Sequence, residues 1–156
     1  MTIINIYAPN IGAPQYVRQM ITSMKGEINN NTIIVGDFNT PLTPMDRSTK
    51  QKINKKTQTL NDTIDQLYLI DIYRTFHPKT MNFTFFSSAH GTFSRIDYIL
   101  GYKSSFGKFK IIEIIPSNFS DYNAVRLDVN YRRKTIKNSN IWMLNNTLLN
   151  NQQITQ

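Results

Sequence analysis

Apolar positions recur in two rhythms along this chain. Val17, Met20, Ile21, Met24 and Ile28 follow three- and four-residue spacing, which predicts an amphipathic helix over residues 14–28 with Pro14 in its first turn. Thr57, Leu60, Ile64 and Leu67 repeat the spacing and predict a second helix. Elsewhere the apolar residues come in short β-branched or aromatic runs. Ile3–Tyr7, Thr32–Val35, Phe83–Phe86, Phe93–Leu100, Lys110–Ile115 and Ala124–Val129 read as strands. Ala8-Pro9-Asn10 ends the first of these, because proline cannot continue a ladder. Residues 83–100 resemble a hairpin with a long tip at 87–91. Leu69–Tyr73 is a short apolar run, and residues 41–56 are polar, basic and loop-like. There is no internal repeat. Interspersed helices and strands predict an α/β protein with mixed sheets. From about Tyr131 the pattern dissolves into Asn, Gln, Lys and Thr. The expected organisation is a domain over 1–130 followed by a polar, linker-like tail over 131–156.

A chain of 156 residues suits one domain with its own core. It has no cysteine, which excludes a disulfide framework, a zinc–thiolate site and a thiol nucleophile. No segment has the length and apolarity of a membrane-spanning helix, and no signal peptide is visible at Met1. The expectation is an intracellular protein, nuclear or cytoplasmic, with no membrane partner. The formal net charge of +8 favours polyanions such as DNA or RNA. Basic residues cluster at Arg47–Lys56, Lys103–Lys110 and Arg132–Lys137, although each run taken singly suits a solvated face. Aromatic residues mixed with polar and basic ones at Phe83–Arg95 suit a surface that probes nucleic acid.

The octet Ile33–Thr40, I-I-V-G-D-F-N-T, carries the first candidate chemistry. Its glycine would let the backbone turn tightly, and residues two apart along an extended segment share a side. Asp37 and Asn39 would then be delivered together at a strand end. A carboxylate beside a carboxamide suits phosphate and metal chemistry. An ordinary D-x-N turn fits the same residues. The octet alone leaves the two readings level.

Three further motifs stand in order with it. Ile4–Asn10 reads I-N-I-Y-A-P-N. Residues 84–100 contain T-F-F followed by S-R-I-D-Y-I-L. Phe119–Val125 reads F-S-D-Y-N-A-V. With G-D-F-N-T-P at 36–41, this set resembles the endonuclease/exonuclease/phosphatase superfamily. More narrowly it is similar to the apurinic-type endonuclease domain of mammalian long interspersed element retrotransposons, from Thr2 to about Leu149, including D-I-Y-R-T at 71–75 and the W-M-L-N-N tail.

The resemblance implies a four-layer α/β sandwich, with two mixed sheets facing each other and helices outside. It implies that this chain is the C-terminal part of that domain, with N-terminal strands missing. An L-N-I-N-G strand end and a Q-E-T strand end, which supply an asparagine and the metal-binding glutamate, have no counterpart. The implied activity is Mg²⁺-dependent nicking of DNA, in a polypeptide fused to a downstream reverse transcriptase. Tyr7 matches a tyrosine that contacts the scissile phosphate. Asp37 matches the acid that aligns the attacking water, and Asn39 the amide that binds phosphate. Thr84 matches a hydroxyl at the base of the DNA-contacting hairpin, to which Ser94 and Arg95 also belong as substrate-binding candidates. Asp97 matches the acid that orients a catalytic histidine, and an isolated acid in Ile96-Asp97-Tyr98-Ile99 is costly without a partner. Asp121 matches an acid near the metal, which Asp37 would share. Arg47 and Ser120 match positions beside the substrate.

One position departs from the pattern. Ser120-Asp121-Tyr122 stands where the family has S-D-H. A phenol titrating near ~10 cannot serve as a neutral-pH base or cation as an imidazole near ~6.5 can. Losing one general acid–base group typically costs about 10²–10⁴ in rate. His77, before Pro78, and His90, in the hairpin tip, are not evident substitutes. The expectation is therefore an impaired endonuclease fragment. The alternatives are a nucleic-acid-binding remnant without catalysis, or the product of a decayed element. Asp37, Asp97 and Asp121 are expected to converge and, without a cation, to raise at least one carboxyl pKa.

Overall fold

Thr2–Tyr7 forms strand β1, and the chain leaves it through Pro9 into helix α1, Ala13–Ser23. These bounds come from a computed structural model, which describes residues 1–130. The expected tail over 131–156, with its W-M-L-N-N segment, lies outside the described residues. Helix α1 is shorter than its apolar spacing predicts. A 3₁₀ turn at Lys25–Glu27 takes up the remainder, with Gly26 at its centre. Strand β2 is Thr32–Asp37, and helix α2 is Lys55–Gln66, capped by the Asn54 side chain accepting from Thr57 N. The apolar run at 69–73 divides. Leu69–Asp71 is strand β3, and Ile72–Phe76 is a short helix, α3, started by Asp71 accepting from Arg74 N.

The stretch expected as one strand over 93–100 is two. Thr92–Ser94 is β5, paired with β4, Phe85–Ser87, as an antiparallel hairpin. Asp97–Tyr102 is β6, which joins a different sheet. Phe109–Ile115 and Ala124–Val129 are β7 and β8, an antiparallel pair.

The main sheet runs β1-β2-β6-β3. Its β1–β2 pair is parallel and its other two pairs are antiparallel, so the sheet is mixed. One face carries Ile6, Ile34, Tyr98 and Leu100, and packs with Val17 and Ile21 of α1 and Leu60 and Ile64 of α2. The other face carries Ile33 and Ile99, and packs with Ile72 and Tyr73 of α3, Phe109 and Ile112 of β7 and Leu127 of β8. Helices, main sheet and β7–β8 layer thus stack in order around two apolar cores. The second layer is a two-stranded antiparallel ladder among the described residues, where two mixed sheets were expected.

Gly36 does not make the turn expected of it. Strand β2 continues through it, in register with Ile6. Its φ is +149°, and a Cβ there would lie 1.8 Å from the Ile6 carbonyl oxygen. Only glycine lets β1 and β2 approach at this row. The turn comes three residues later, at Asn39, whose φ is +53°.

Candidate active site

Three strands deliver three of the expected residues to one row. Tyr7 is in register with Asp37 across the parallel β1–β2 pair. Asp37 is in register with Asp97 across the antiparallel β2–β6 pair. Paired residues project to one face of a sheet. Here it is the face that carries Val35 and Ile99 one step further in and Ile33 below that. The apolar floor therefore turns into an acidic row where β1 and β2 end. Tyr7 is largely exposed, and the two acids are half-buried.

Among the described residues no cationic side chain forms an ion pair with either acid. Burial pushes Asp37 above the ordinary carboxyl range, against the Asn39 backbone N–H, which donates to its Oδ1 at 2.8 Å. Burial pushes Asp97 up to about 7; the Thr84 hydroxyl opposes this and the charge on Asp37 adds to it. Asp97 Oδ2 is buried and has no hydrogen-bond partner among the described residues. Buried polar atoms are rarely left so, and an unpartnered carboxylate oxygen on a half-buried side chain is a candidate for ligand or proton chemistry.

Thr84 explains how Asp97 is held. It is fully buried, and its Oγ1 accepts from the Ile96 and Asp97 backbone N–H groups at 3.0 and 3.3 Å. Thr84 N–H donates to Ser94 O, and Thr84 O accepts from Asn123 N, both within 2.9 Å. One threonine therefore ties the hairpin, the start of β6 and the loop before β8. It stands at the base of the hairpin, but the substrate contact expected of its hydroxyl is corrected, because the side chain is fully buried under the start of β6. It acts through the backbone and does not face outward.

The loop before β8 extends the hairpin. Phe86 N–H donates to Asp121 O, and Tyr122 bridges to Phe85 as an added strand position. The Tyr122 ring lies 4.9 Å from that of Phe85 and is half exposed. Partial burial raises its pKa, and the carboxylates Asp37, Asp97 and Asp121 nearby raise it further. Tyr122 is thus a neutral phenol beside the acid row. Ser120 and Asp121 are exposed, and Ser120 Oγ accepts from Tyr122 N at 3.1 Å.

Asn39 combines the two readings of the octet. The D-x-N turn is real, closed by the bond from Asn39 N to Asp37 Oδ1. Its side chain does not run beside that of Asp37. Asn39 Nδ2 donates to Ala8 O at 3.2 Å and to Asn10 Oδ1 at 2.7 Å, so both amide hydrogens hold the end of β1. Asn10 joins the site here without having been picked out singly. The I-Y-A-P-N motif contained the signal.

Arg95 is a correction. Expected among the substrate-binding residues of the hairpin, it is 1% exposed. Its Nε donates to Asp46 Oδ1 at 2.9 Å and its Nη2 to Asp71 Oδ2 at 2.5 Å. Arg74 Nη2 donates to Asp46 Oδ1 at 2.6 Å, and the Tyr98 hydroxyl to Asp46 Oδ2 at 2.8 Å. Burial alone would push Asp46 up, but Arg95, Arg74 and Tyr98 hold it below the ordinary range. The cause of the correction is local. The backbone of Arg95 donates to Asp46 O, so the chain turns there and carries the guanidinium into the interior. Ser94, one residue earlier, bridges to Arg47, whose half-buried side chain reaches Gln51 Oε1 at 3.2 Å.

The histidines lie elsewhere in the fold. The His77 ring meets Ile112 O through Nε2 at 2.8 Å and stacks on Tyr73. His90 sits exposed in the tip turn of the hairpin. The third expected acid does not complete a metal cluster either. Among the described residues no group of three or more His, Asp or Glu side chains is arranged to hold a metal ion. The pair that does form still fits a hard cation. Mg²⁺ is typically held by one or two carboxylates, with water and substrate phosphate supplying the rest, and Asp97 Oδ2 is unpartnered.

Comparisons with known proteins bear on the family and the fold. The profile of the Endonuclease/Exonuclease/phosphatase family matches residues 5–121. The transposon TX1 uncharacterized 149 kDa protein of Xenopus laevis is 30% identical over 158 residues, 96% of this chain and 12% of that protein. An AP endonuclease from Archaeoglobus fulgidus superposes with a TM-score of 0.69 at 16% identity, over 83% of this chain and 61% of that one. The endonuclease domain of TRAS1, a telomere-specific non-LTR retrotransposon, gives 0.64 at 14% identity, over 81% and 56%. A 3′-5′ exonuclease from Neisseria meningitidis gives 0.62 at 19%, over 83% and 61%. At these identities the structures report the fold. This chain spans about an eighth of the TX1 protein and about three-fifths of the solved nucleases.

Proposed function

The chain belongs to the endonuclease/exonuclease/phosphatase family, and from that premise we propose that it is a piece of a DNA strand-nicking endonuclease of retrotransposon type, impaired in catalysis at Tyr122. The observation that carries this reading is the row Tyr7–Asp37–Asp97, with Tyr122 beside it and Asp97 Oδ2 unpartnered. The row has the chemistry of a phosphodiester site. Tyr7 is exposed to hydrogen-bond a phosphate oxygen. Asp37 would, in this reading, accept a hydrogen bond from an attacking water and so align it. Asn10 and Asn39 fix the end of β1 that presents Tyr7.

In this reading Asp37, with the free oxygen of Asp97 beside it, would hold a Mg²⁺ ion. The cation would supply neutralisation of phosphate charge when bound. Duplex DNA is the proposed substrate, and a reverse transcriptase in the same longer polypeptide is the proposed neighbour. The impairment rests on chemistry. Asp97 has no imidazole to orient, and a phenol kept neutral by partial burial and by nearby carboxylates is a poor base and no cation.

Supercoiled plasmid with Mg²⁺ tests the reading. Slow nicking that rises roughly 10²–10⁴-fold in Tyr122→His and disappears in Tyr122→His/Asp37→Ala is expected. Fast nicking by the parent chain, abolished by Asp37→Ala, refutes the impairment. No nicking by Tyr122→His, with salt-dependent DNA binding retained, favours the binding remnant instead.

A further inference from the structure

Phe119 is the most exposed large apolar side chain among the described residues, at 99%. It stands on the loop between β7 and β8, three positions before Tyr122. That loop is braced. Ser117 N–H donates to Asn123 Oδ1 at 3.0 Å, Phe119 N–H to Ser117 Oγ at 3.2 Å, and Asn123 Nδ2 to Phe83 O at 2.9 Å. Two further backbone bonds, Phe86 N to Asp121 O and Asn123 N to Thr84 O, fasten it to the hairpin. The ring is therefore carried outward at a set place. Water is a poor environment for it, and nothing in the braced backbone lets it fold back.

Its surroundings indicate what meets it. Tyr122 and Phe85 of β4 form an aromatic pair across the bridge that joins this loop to the hairpin, the acid row lies beside Tyr122, and the chain carries a net charge of +8. Aromatic rings offered beside a phosphate-handling site on a basic protein match the faces of nucleobases. Apolar side chains that enter DNA next to a contacted phosphate act as wedges between base steps.

We propose that Phe119 is a stacking wedge, which lies against a nucleobase next to the phosphodiester held at the Tyr7–Asp37–Asp97 row. This rests on the nuclease reading and adds the residue by which the site recognises an unstacked or kinked step. Flexible steps would be preferred over stiff ones, because partial unstacking costs least there.

The test is binding of the full chain, without Mg²⁺, to duplexes carrying 2-aminopurine at successive positions. The parent is expected to raise the fluorescence at one or two adjacent positions. Phe119→Ala should abolish that rise and weaken binding by roughly 5- to 150-fold, as losing one stacked base does. The dependence on salt should be unchanged, since no phosphate contact is removed. Phe119→Trp should restore both signals. Parent-like affinity and fluorescence in Phe119→Ala overturn the wedge while leaving the nuclease reading intact, and leave the ring to a protein contact. A parent chain that binds no duplex at low salt overturns both.

Discussion

Two groups of acids sit within this small fold, and they are treated in opposite ways. Asp46 and Asp71 face Arg95 and Arg74, and every Asp46 oxygen has a donor. Asp37 and Asp97 face each other across β2 and β6, with no cation between them and one oxygen unpartnered. Asp46 is held below the ordinary carboxyl range, whereas Asp37 and Asp97 are held above it. Burial acts upward in all three, so the difference lies in the partners. The first group closes on itself and fastens the hairpin to β6 and to the loop after β2. The second is open among the described residues, and in the proposed reading a bound cation or substrate phosphate completes it. Carboxylates of one type in one fold thus separate into two sets by whether their charge is answered, and under the proposed reading the unanswered set is the functional one.

The largest expected effect comes from breaking the closed group. Arg95→Met removes a cation from between two acids and leaves Asp46, fully buried, with the Arg74 guanidinium and the Tyr98 hydroxyl as its remaining side-chain donors. Uncompensating a buried pair in this way typically costs about 3–5 kcal/mol. Urea unfolding at pH 7 should report a loss of that order. The double variant Arg95→Met/Asp46→Asn should recover part of it, because the stranded charge is gone. A single variant within about 0.5 kcal/mol of the parent would mean that the two groups are not different in kind.

Sequence made one group legible and hid the other. Asp37 and Asp97 stand in G-D-F-N and S-R-I-D-Y, short motifs whose neighbours in the chain set their strand ends. Helix α2 and strand β8 were equally readable, since Leu60 and Ile64 mark one face and Ala124–Val129 has the same bounds in the structure. Arg95 was misread because its motif says nothing of its partners. Asp46 lies 49 residues away and Asp71 24 residues away. The same distance hid the break between β5 and β6, where Phe93–Leu100 is strand-like throughout and only the inward turn of Arg95 divides it. An isolated acid within the basic stretch after Pro41 was the one available signal. The three-acid metal cluster failed for the converse reason, since the position of Asp121 depends on a loop pinned to β4, which spacing cannot give.

A smaller effect should come from relieving the open group, and it should carry the opposite sign. The folded chain holds a proton on Asp97 up to about pH 7, where an unfolded chain releases it near the ordinary 3.8. Between those values the folded state binds more protons, so the unfolding free energy falls as pH rises through the window. For Asp46 the sense is reversed, and its contribution is lost as pH falls through its lowered value. Asp97→Asn removes the charge and keeps the shape. It should stabilise the chain by roughly 1–3 kcal/mol at pH 8 and by almost nothing near pH 4. Unfolding curves for parent and variant at four or five pH values would give the slope. A variant that destabilises at pH 8 would mean that Asp97 has a partner in solution, and the contrast between the groups would narrow.

The smallest effect belongs to a third set of charges, which tests whether pairing or burial sets the difference. Arg126 on β8 lies 3.2 Å from both Glu113 on β7 and Asp128, so by distance it is as well partnered as Arg95. Its side chain is 36% exposed, against 1% for Arg95, and the hydrogen bond and charge of Asp128, with Glu113 adding to them, raise its pKa against a desolvation that opposes them. Water screens such a pair and solvates each partner when the other leaves, so little is stranded by removing one. Arg126→Ala should leave the urea midpoint unchanged within error at low and at high salt. If instead Arg126→Ala approached Arg95→Met in size, ion-pair geometry alone would decide stability here. The unanswered charge of Asp97 would then lose its standing as the mark of a site that binds something.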